Sequence, residues 1–123
     1  MYEVAIRTRF AAAHQLHNYG GKCEELHGHN WIVEVGVQGS VLDDVGLLVD
    51  FKVLKRHVAE LLEELDHKYL NDHPWFTERN PSSEHLARFL YDAVRQRIDS
   101  PDLRVSFVRV WESEDSFATY TAD

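Results

Sequence analysis

Residues 27–37 read His-Gly-His-Asn-Trp-Ile-Val-Glu-Val-Gly-Val, and the period of this stretch sets the first element of the fold. Every second position from residue 31 onward is apolar, and Glu34 lies between two of them. Successive side chains of a β-strand point to opposite faces, so the alternation predicts a half-buried strand. The apolar positions are Trp31, Val33, Val35 and Val37.

Strand-like patterns also occur near both ends of the chain. Tyr2–Phe10 alternates in the same way, and the glycine-containing residues 18–22 separate it from the strand at 31–37. These features predict a hairpin. Arg104–Glu112 and Phe117–Thr121 are rich in β-branched and aromatic residues and are separated by a turn signal, which predicts a second pair of strands.

Between the two hairpins the period of the apolar residues changes from two to 3.6. Apolar residues step by three and four across Phe51–Tyr69, which predicts an amphipathic helix of about five turns with Asp50 as its N-cap. A second helix is predicted to begin near Pro81–Glu84 and to end at Ser100–Asp102. The order is therefore ββααββ. Hairpins kept apart from helices predict an α+β fold with an antiparallel sheet, in a single domain covering residues 1–123.

The charge balance and the cysteine count limit the class of protein. Thirteen Lys and Arg stand against 21 Asp and Glu, so the 123-residue chain has a formal net charge of −8. Such a surface repels nucleic-acid phosphates and anionic lipids, which argues against nucleic acid and membranes as partners. The single Cys23 cannot form an internal disulfide, and no long apolar run or signal-peptide pattern is evident. We therefore expect a soluble, cytoplasmic protein.

The chain has eight histidines, and three of them have the spacing of metal ligands. His27 and His29 are two residues apart at the start of a predicted strand, so both imidazoles project from one face. His14 follows the first strand and can approach that face if the two strands pair. Three histidines without a fourth protein ligand describe a catalytic zinc site, whereas Cys23 as a fourth ligand would make a closed structural site. The spacing alone leaves both alternatives open.

Five motifs follow one another along nearly the whole chain. They are Phe10-Ala-Ala-Ala-His14, Cys23-x-x-x-His27-Gly28-His29, Leu65-Asp66-His67, Asn80-Pro-Ser-Ser-Glu84 and Trp111-Glu112-Ser113. On these motifs the chain resembles the 6-pyruvoyl-tetrahydropterin synthase superfamily, and most of all its bacterial 6-carboxytetrahydropterin synthases. The resemblance implies a tunnelling fold, in which a four-stranded antiparallel sheet carries two helices on one face. It also implies a barrel-forming homo-oligomer, expected to be a hexamer, with active sites at the subunit interfaces.

The same resemblance implies a metal and a substrate. The zinc ligands of the family carry over to His14, His27 and His29, and its catalytic cysteine carries over to Cys23. The family substrate is 7,8-dihydroneopterin triphosphate, whose side-chain oxygens the zinc would polarise as a Lewis acid. Cys23, moved toward its thiolate form by the metal or a cationic neighbour, would then remove a carbon-bound proton.

Further site residues depend on the resemblance more heavily. Asp66 and His67 form a carboxylate–imidazole pair, which alone is more often polar surface but in this family supplies a second acid–base group. Glu112 ends a largely apolar strand, and the resemblance implies that it accepts the two adjacent N–H groups of the pterin. Ser82 and Ser83 are additional candidates for substrate contact. The triphosphate site is not evident from the sequence.

Three functions remain open at this stage. The first is 6-carboxytetrahydropterin synthase, a lyase that releases acetaldehyde and triphosphate on the route to 7-deazaguanine bases such as queuosine. The second is 6-pyruvoyl-tetrahydropterin synthase, which only eliminates triphosphate and tautomerises the product. The third is a zinc- or pterin-binding protein without turnover, against which Cys23 and the Asp66–His67 pair argue. The short chain favours the first.

The helical periodicity also predicts a site shared between subunits. If the helix of residues 51–69 stays regular, His67 lies almost opposite its apolar stripe and faces away from its own sheet. His67 then cannot easily meet Cys23 of the same chain. We therefore expect zinc and Cys23 from one subunit and Asp66 and His67 from the next.

Overall fold

The computed structural model describes residues 1–18, 20 and 24–122, which form an α+β fold. Its elements in chain order are β1 Tyr2–His14, β2 His27–Gly39, α1 Phe51–Leu62, β3 Lys68–Tyr69, α2 Ser83–Ile98, β4 Arg104–Ser113 and β5 Ser116–Tyr120. Two short 3-10 turns, Leu70–Asp72 and Pro74–Phe76, connect β3 to α2. The predicted order of two hairpins around two helices is confirmed, with one strand added.

Over the part of the chain that the structure describes, the sheet has five strands and is mixed. Its order is β3-β1-β2-β4-β5. The pairs β1–β2, β2–β4 and β4–β5 are antiparallel, whereas β3 runs parallel to β1 and pairs with Ala12 and Ala13. The expectation of a four-stranded, purely antiparallel sheet is therefore wrong.

The extra strand follows from an early end of the first helix. α1 ends at Leu62, and the chain then turns with Leu65 fully buried. The carboxylate of Asp66 accepts the backbone N–H of Ala11 at 2.9 Å, and the backbone N–H of His67 donates to the Ala11 carbonyl at 2.6 Å. These bonds to β1 take the place of continued helical hydrogen bonds, and His67 adopts a left-handed φ of 59°. The predicted helix was too long because the apolar spacing continues through this turn.

The core lies between the sheet and the two helices. The alternating apolar residues of β2 are fully buried there, as predicted, and they join the buried faces of α1 and α2 in one cluster. Trp31 stacks on Phe10 with ring centroids 6.0 Å apart, and its indole N–H donates to the Ala12 carbonyl at 3.2 Å. On the opposite face, a Cβ at position 36 would overlap the ring of Phe107, so glycine allows this ring to lie over β2. Neither described helix is long and apolar enough to cross a membrane.

Candidate metal centre

The pairing of β1 with β2 brings the three predicted histidines together. His14 lies directly opposite His27, and Ala12 lies opposite His29. The ring centroids are 4.5 Å apart for His14 and His27, 5.1 Å for His14 and His29, and 4.6 Å for His27 and His29. His14 is 1% exposed and forms the floor of the cluster. The predicted convergence from two adjacent strands is therefore present in the fold.

Hydrogen bonds from the chain fix the tautomers of two of these rings. The Nδ1 of His14 lies 2.8 Å from the carbonyl oxygen of Pro81, and the Nδ1 of His27 lies 2.8 Å from that of Glu25. A carbonyl only accepts, so each Nδ1 carries the proton and each Nε2 presents a lone pair. The two Nε2 atoms lie 2.9 Å apart. Two facing lone pairs repel unless a proton or a cation lies between them.

The third ring presents its Nε2 atom to the same space. Among the described residues, none makes a hydrogen bond of acceptable geometry to the buried Nε2 of His29, although Oε1 of Glu112 lies 3.2 Å away. Burial lowers the pKa of His29 below its ordinary value of 6.5, and the neighbouring His14 and His27 lower it further, while the charge of Glu112 opposes them. The neutral ring that this favours is the form that binds a metal.

The donor atoms match a small divalent cation. One ligand atom from each of His14, His27, His29 and Glu112 lies within 4.8 Å of all the others. Ligands about 2.1 Å from a tetrahedral zinc are roughly 3.4 Å apart, so the observed pairs need only small adjustments to surround one ion. Nitrogen and carboxylate donors suit zinc and related transition metals. The presence of Glu112 in this group was not predicted from the sequence.

The two serines of the Asn80–Glu84 motif have different positions. Ser82 is the N-cap of α2, and its hydroxyl accepts the backbone N–H of His85 at 3.2 Å. This bond accounts for a serine at position 82 without any substrate. The hydroxyl of Ser83 instead donates to Oε2 of Glu112 at 3.4 Å. Of the two, Ser83 is the one that the fold places beside the metal centre.

Asp66 and His67 form a pair at the edge of the sheet, outside the histidine cluster. The Nδ1 of His67 lies 3.0 Å from Oδ2 of Asp66, and the side chain of His67 is 81% exposed. The hydrogen bond from the Ala11 N–H, and to a smaller extent His67, lowers the pKa of Asp66. The prediction for the direction of His67 assumed a helix that stays regular through residue 69. This premise is wrong, because α1 ends before His67.

His67 nevertheless lies away from the face that carries the metal ligands. It borders an open cavity of about 550 Å³, which Ala12 and His29 also line and whose wall includes Ala11, Ala13, Gly28 and Asn30. These four positions alternate along β1 and β2 with the positions of the inward-facing histidines. Because neighbouring residues of a strand point to opposite faces, the cavity opens on the outer side of the sheet.

The predicted catalytic Cys23 and the preceding Lys22 lie outside the described residues. The chain on either side of them is held in place. The backbone N–H of Glu24 donates to the Leu16 carbonyl at 2.8 Å, and the Glu24 carboxylate accepts the Leu16 N–H at 3.2 Å. The prediction for Cys23 therefore stays a prediction.

Sequence reasoning missed the side chains that fix the segment after His14. Oδ1 of Asn71 accepts the Gln15 N–H at 2.9 Å, and its Nδ2 donates to the Gln15 carbonyl at 2.7 Å. Asn80 makes the same two bonds to His17, each at 2.8 Å. Each side-chain amide thus makes the two hydrogen bonds that the backbone of a neighbouring strand would otherwise make. The Asn-Pro dipeptide at 80–81 was a visible signal of a turn, but nothing in the sequence indicated its distant partner.

Known proteins are similar to the chain over most of its length. A family model described as 6-pyruvoyl tetrahydropterin synthase matches residues 3–123. The 6-carboxy-5,6,7,8-tetrahydropterin synthase of Bacillus subtilis is 33% identical, with 97% of this chain and 84% of the relative covered. The protein of the same name from Synechocystis is 40% identical over 78% of this chain and 77% of the relative.

A solved structure shows the same fold. The 6-pyruvoyl tetrahydropterin synthase of Caenorhabditis elegans superposes with a TM-score of 0.85 at 23% identity, covering 99% of this chain and 96% of that chain. At this identity the likeness concerns the fold alone. The mixed five-stranded sheet with two helices is thus an architecture already found among solved structures.

Proposed function

Because the chain belongs to the 6-pyruvoyl tetrahydropterin synthase family, we propose that it is a lyase acting on 7,8-dihydroneopterin triphosphate. The proposed products are 6-carboxy-5,6,7,8-tetrahydropterin, acetaldehyde and triphosphate. The observation that carries the proposal is the cluster of His14, His27 and His29, whose Nε2 atoms converge. Bacterial relatives of the chain are named 6-carboxy-5,6,7,8-tetrahydropterin synthase, which supports this choice of product. The product would serve the synthesis of 7-deazaguanine bases in the cytoplasm.

The metal proposed for this site is zinc, held by the three histidines. When bound, it would supply a Lewis acid next to the side-chain oxygens of the substrate. The chain prepares the site in advance, because Pro81 and Glu25 carbonyls hold two rings in the tautomer that leaves Nε2 free. Such hydrogen bonds to the ring nitrogen that does not bind the metal orient the ligand and raise its basicity. The buried floor at His14 keeps water from one side of the centre.

Proton transfers are assigned to two groups. Cys23, as the family resemblance implies, takes the carbon-bound proton, and the Asp66–His67 pair acts as the second acid–base group. The hydrogen bond from the Ala11 N–H lowers the pKa of Asp66 and keeps its carboxylate ionised, so the carboxylate can accept a hydrogen bond from Nδ1 of His67 and orient the ring. Since His67 faces the outer side of its own sheet, we assign it to the site of a neighbouring subunit in a homo-oligomer.

Pterin binding is assigned to Glu112. A carboxylate can accept the two adjacent N–H groups of the pterin in a bidentate arrangement. The hydroxyl of Ser83, which lies 3.4 Å from Oε2 of Glu112, supports this carboxylate and is a candidate for a direct contact with the ring. Glu112 is about two-fifths exposed, at 39%, so a ligand can reach it.

Product analysis distinguishes the proposed function from its two alternatives. Zinc-loaded protein is incubated with 7,8-dihydroneopterin triphosphate, and acetaldehyde and pterins are quantified. Acetaldehyde formed in equal amount to the carboxylated pterin supports the proposal. The pyruvoyl pterin without acetaldehyde would make the protein a 6-pyruvoyl-tetrahydropterin synthase. Unchanged substrate, with zinc bound, would leave a binding protein without turnover.

A further inference from the structure

A second cavity lies at the other end of the sheet from the metal centre. It measures about 250 Å³ and lies between the C-terminal half of α2, the start of β4 and the end of β2. Its wall includes Gln38 of β2, which follows His29 by nine residues. Since a strand rises about 3.3 Å per residue, the cavity is about 30 Å from the histidine cluster of the same chain. A ligand held there would not contact that cluster.

A β-bulge places Ser106 on the wall of this cavity. Along β4, Val105 and Phe107 pair with consecutive residues of β2, so Ser106 between them has no partner residue there. Bulges commonly redirect a side chain in this way. The Oγ atom of Ser106 is buried, and no described residue makes a hydrogen bond to it. A buried hydroxyl without a partner costs free energy, so a polar ligand that reaches Oγ would recover this bond.

Two arginines and one aspartate supply the charges of the wall. Oδ1 of Asp99 accepts the backbone N–H of Val105 at 2.9 Å, and its Oδ2 lies 3.3 Å from Nε of Arg95. This arrangement occupies Nε and leaves the two Nη groups of Arg95 for other acceptors. The exposed side chain of Arg104 has no ion pair among the described residues. The positive charges outnumber the negative one, which favours an anion.

We propose that this cavity binds inorganic phosphate. Donors from three elements line it, namely the Gln38 amide on β2, the Nη groups of Arg95 on α2 and the Ser106 hydroxyl on β4. Donors that surround a ligand suit the four oxygens of a tetrahedral phosphate better than the two coplanar oxygens of a carboxylate. A guanidinium group also matches the geometry of phosphate, and Arg104 adds a second one. The inference goes beyond the proposed function and does not depend on it.

Phosphate affinity of matched arginine variants tests the site. Isothermal titration calorimetry with inorganic phosphate is done on zinc-loaded wild type, Arg95→Gln, Ser106→Ala and the control Arg88→Gln. Arg88 lies on the same helix with its Nε 3.2 Å from the Asp92 carboxylate, an i, i+4 pair like that of Arg95 and Asp99, but outside the cavity wall. Losing a charge-assisted hydrogen bond should weaken binding at least about tenfold. We expect this loss for Arg95→Gln, a smaller one for Ser106→Ala and none for Arg88→Gln.

Unfolding without phosphate distinguishes a binding hydroxyl from a structural one. Ser106→Ala removes a buried group that has no partner, so its midpoint of urea unfolding should equal or exceed that of wild type. Added phosphate should raise the midpoint of wild type more than that of Ser106→Ala, because a ligand stabilises the folded state that binds it. Circular dichroism verifies that each variant is folded.

Equal phosphate affinity of wild type and folded Arg95→Gln, or an equal loss in Arg88→Gln, would overturn the inference. Absence of phosphate binding to wild type, or acetate binding as tight as phosphate binding, would overturn it as well. A Ser106→Ala variant that is less stable than wild type without phosphate would mean that the hydroxyl already has a partner within the protein, which contradicts its assignment to the ligand.

Discussion

Replacing Asn71 by alanine should destabilise the protein more than the same replacement at Asn80. The two asparagines make equivalent pairs of hydrogen bonds, to the backbone of Gln15 and of His17 respectively. The bonds of Asn71 are partly buried, whereas those of Asn80 are exposed. Water can replace a lost bond only where it has access. Comparing the two alanine variants therefore measures how burial changes the stability contribution of the same pair of asparagine–backbone hydrogen bonds.

The expected magnitudes follow from the free energy of single hydrogen bonds. A typical bond contributes about 1 kcal/mol, and a buried group left without a partner costs about 1–3 kcal/mol. Two partly buried bonds make the expected cost of Asn71→Ala about 2–3 kcal/mol, against about 1 kcal/mol for Asn80→Ala. Asn71→Asp should cost at least as much as Asn71→Ala, because an oxygen then faces the Gln15 carbonyl that now lies 2.7 Å from Nδ2.

Urea unfolding of metal-free protein gives these differences directly. A chelator removes the contribution of bound metal, and equal protein concentrations keep any subunit association comparable. The m-values should agree among the variants, so that the midpoints report stability. An Asn80→Ala variant as destabilised as Asn71→Ala, or a neutral Asn71→Asp, would refute the reasoning from burial and from bond polarity.

Three further outcomes are expected from the site. Metal analysis of Cys23→Ala should show near-stoichiometric zinc, whereas His29→Ala should lose it; an equal loss in both variants would indicate a closed site with Cys23 as a ligand. The folded-state pKa of Asp66 lies below its ordinary 3.8, so its contribution to stability is complete above about pH 4 and is lost as the pH falls through the folded value. Asp66→Asn, which keeps an acceptor for Ala11, should therefore show a shallower loss of stability between pH 5 and pH 3 in urea titrations; an identical slope would contradict this. Mixed and reassociated Cys23→Ala and His67→Ala subunits, each inactive alone, should regain partial activity; mixed oligomers without activity would place each site within one chain.

The parts of the site that depend on strand periodicity were predictable. His27 and His29 share a face because a strand repeats every two residues, and His14 reaches them because β1 and β2 form a regular hairpin with His14 opposite His27. The buried positions of β2 followed from the same alternation. Residue spacing along one strand was enough for His27, His29 and the buried face of β2, and His14 needed in addition the predicted pairing of the first two strands.

The parts that depend on distant contacts were not predictable. The apolar pattern continues beyond Leu62, but the helix ends there. The Ala11 N–H donates to the Asp66 carboxylate and the His67 N–H donates to the Ala11 carbonyl, which ties this segment to β1 where β3 begins. The position of Glu112 beside His29 depends on the pairing of β4 with β2. Such contacts join residues far apart in the chain, and they cannot be predicted from the spacing of residues in the sequence.

The site could be assembled more completely from the motifs than the fold could. The five motifs contain His14, His27, His29 and Glu112 of the cluster and the Asp66–His67 pair, but they assigned Glu112 to the pterin alone. The structure adds that Glu112 lies beside the metal ligands and that Ser83, rather than Ser82, contacts it. These additions concern how the residues are arranged, which only the packed chain determines.

Metal-dependent turnover tests the central claim most directly. Protein stripped of metal is incubated with 7,8-dihydroneopterin triphosphate, one equivalent of zinc is added, and acetaldehyde is followed with time. The account predicts no acetaldehyde before the addition, release after it in wild type, and no release in His29→Ala. Equal acetaldehyde release with and without metal, or none from zinc-loaded wild type, would contradict the assignment of these histidines to the metal centre of a 6-carboxytetrahydropterin synthase.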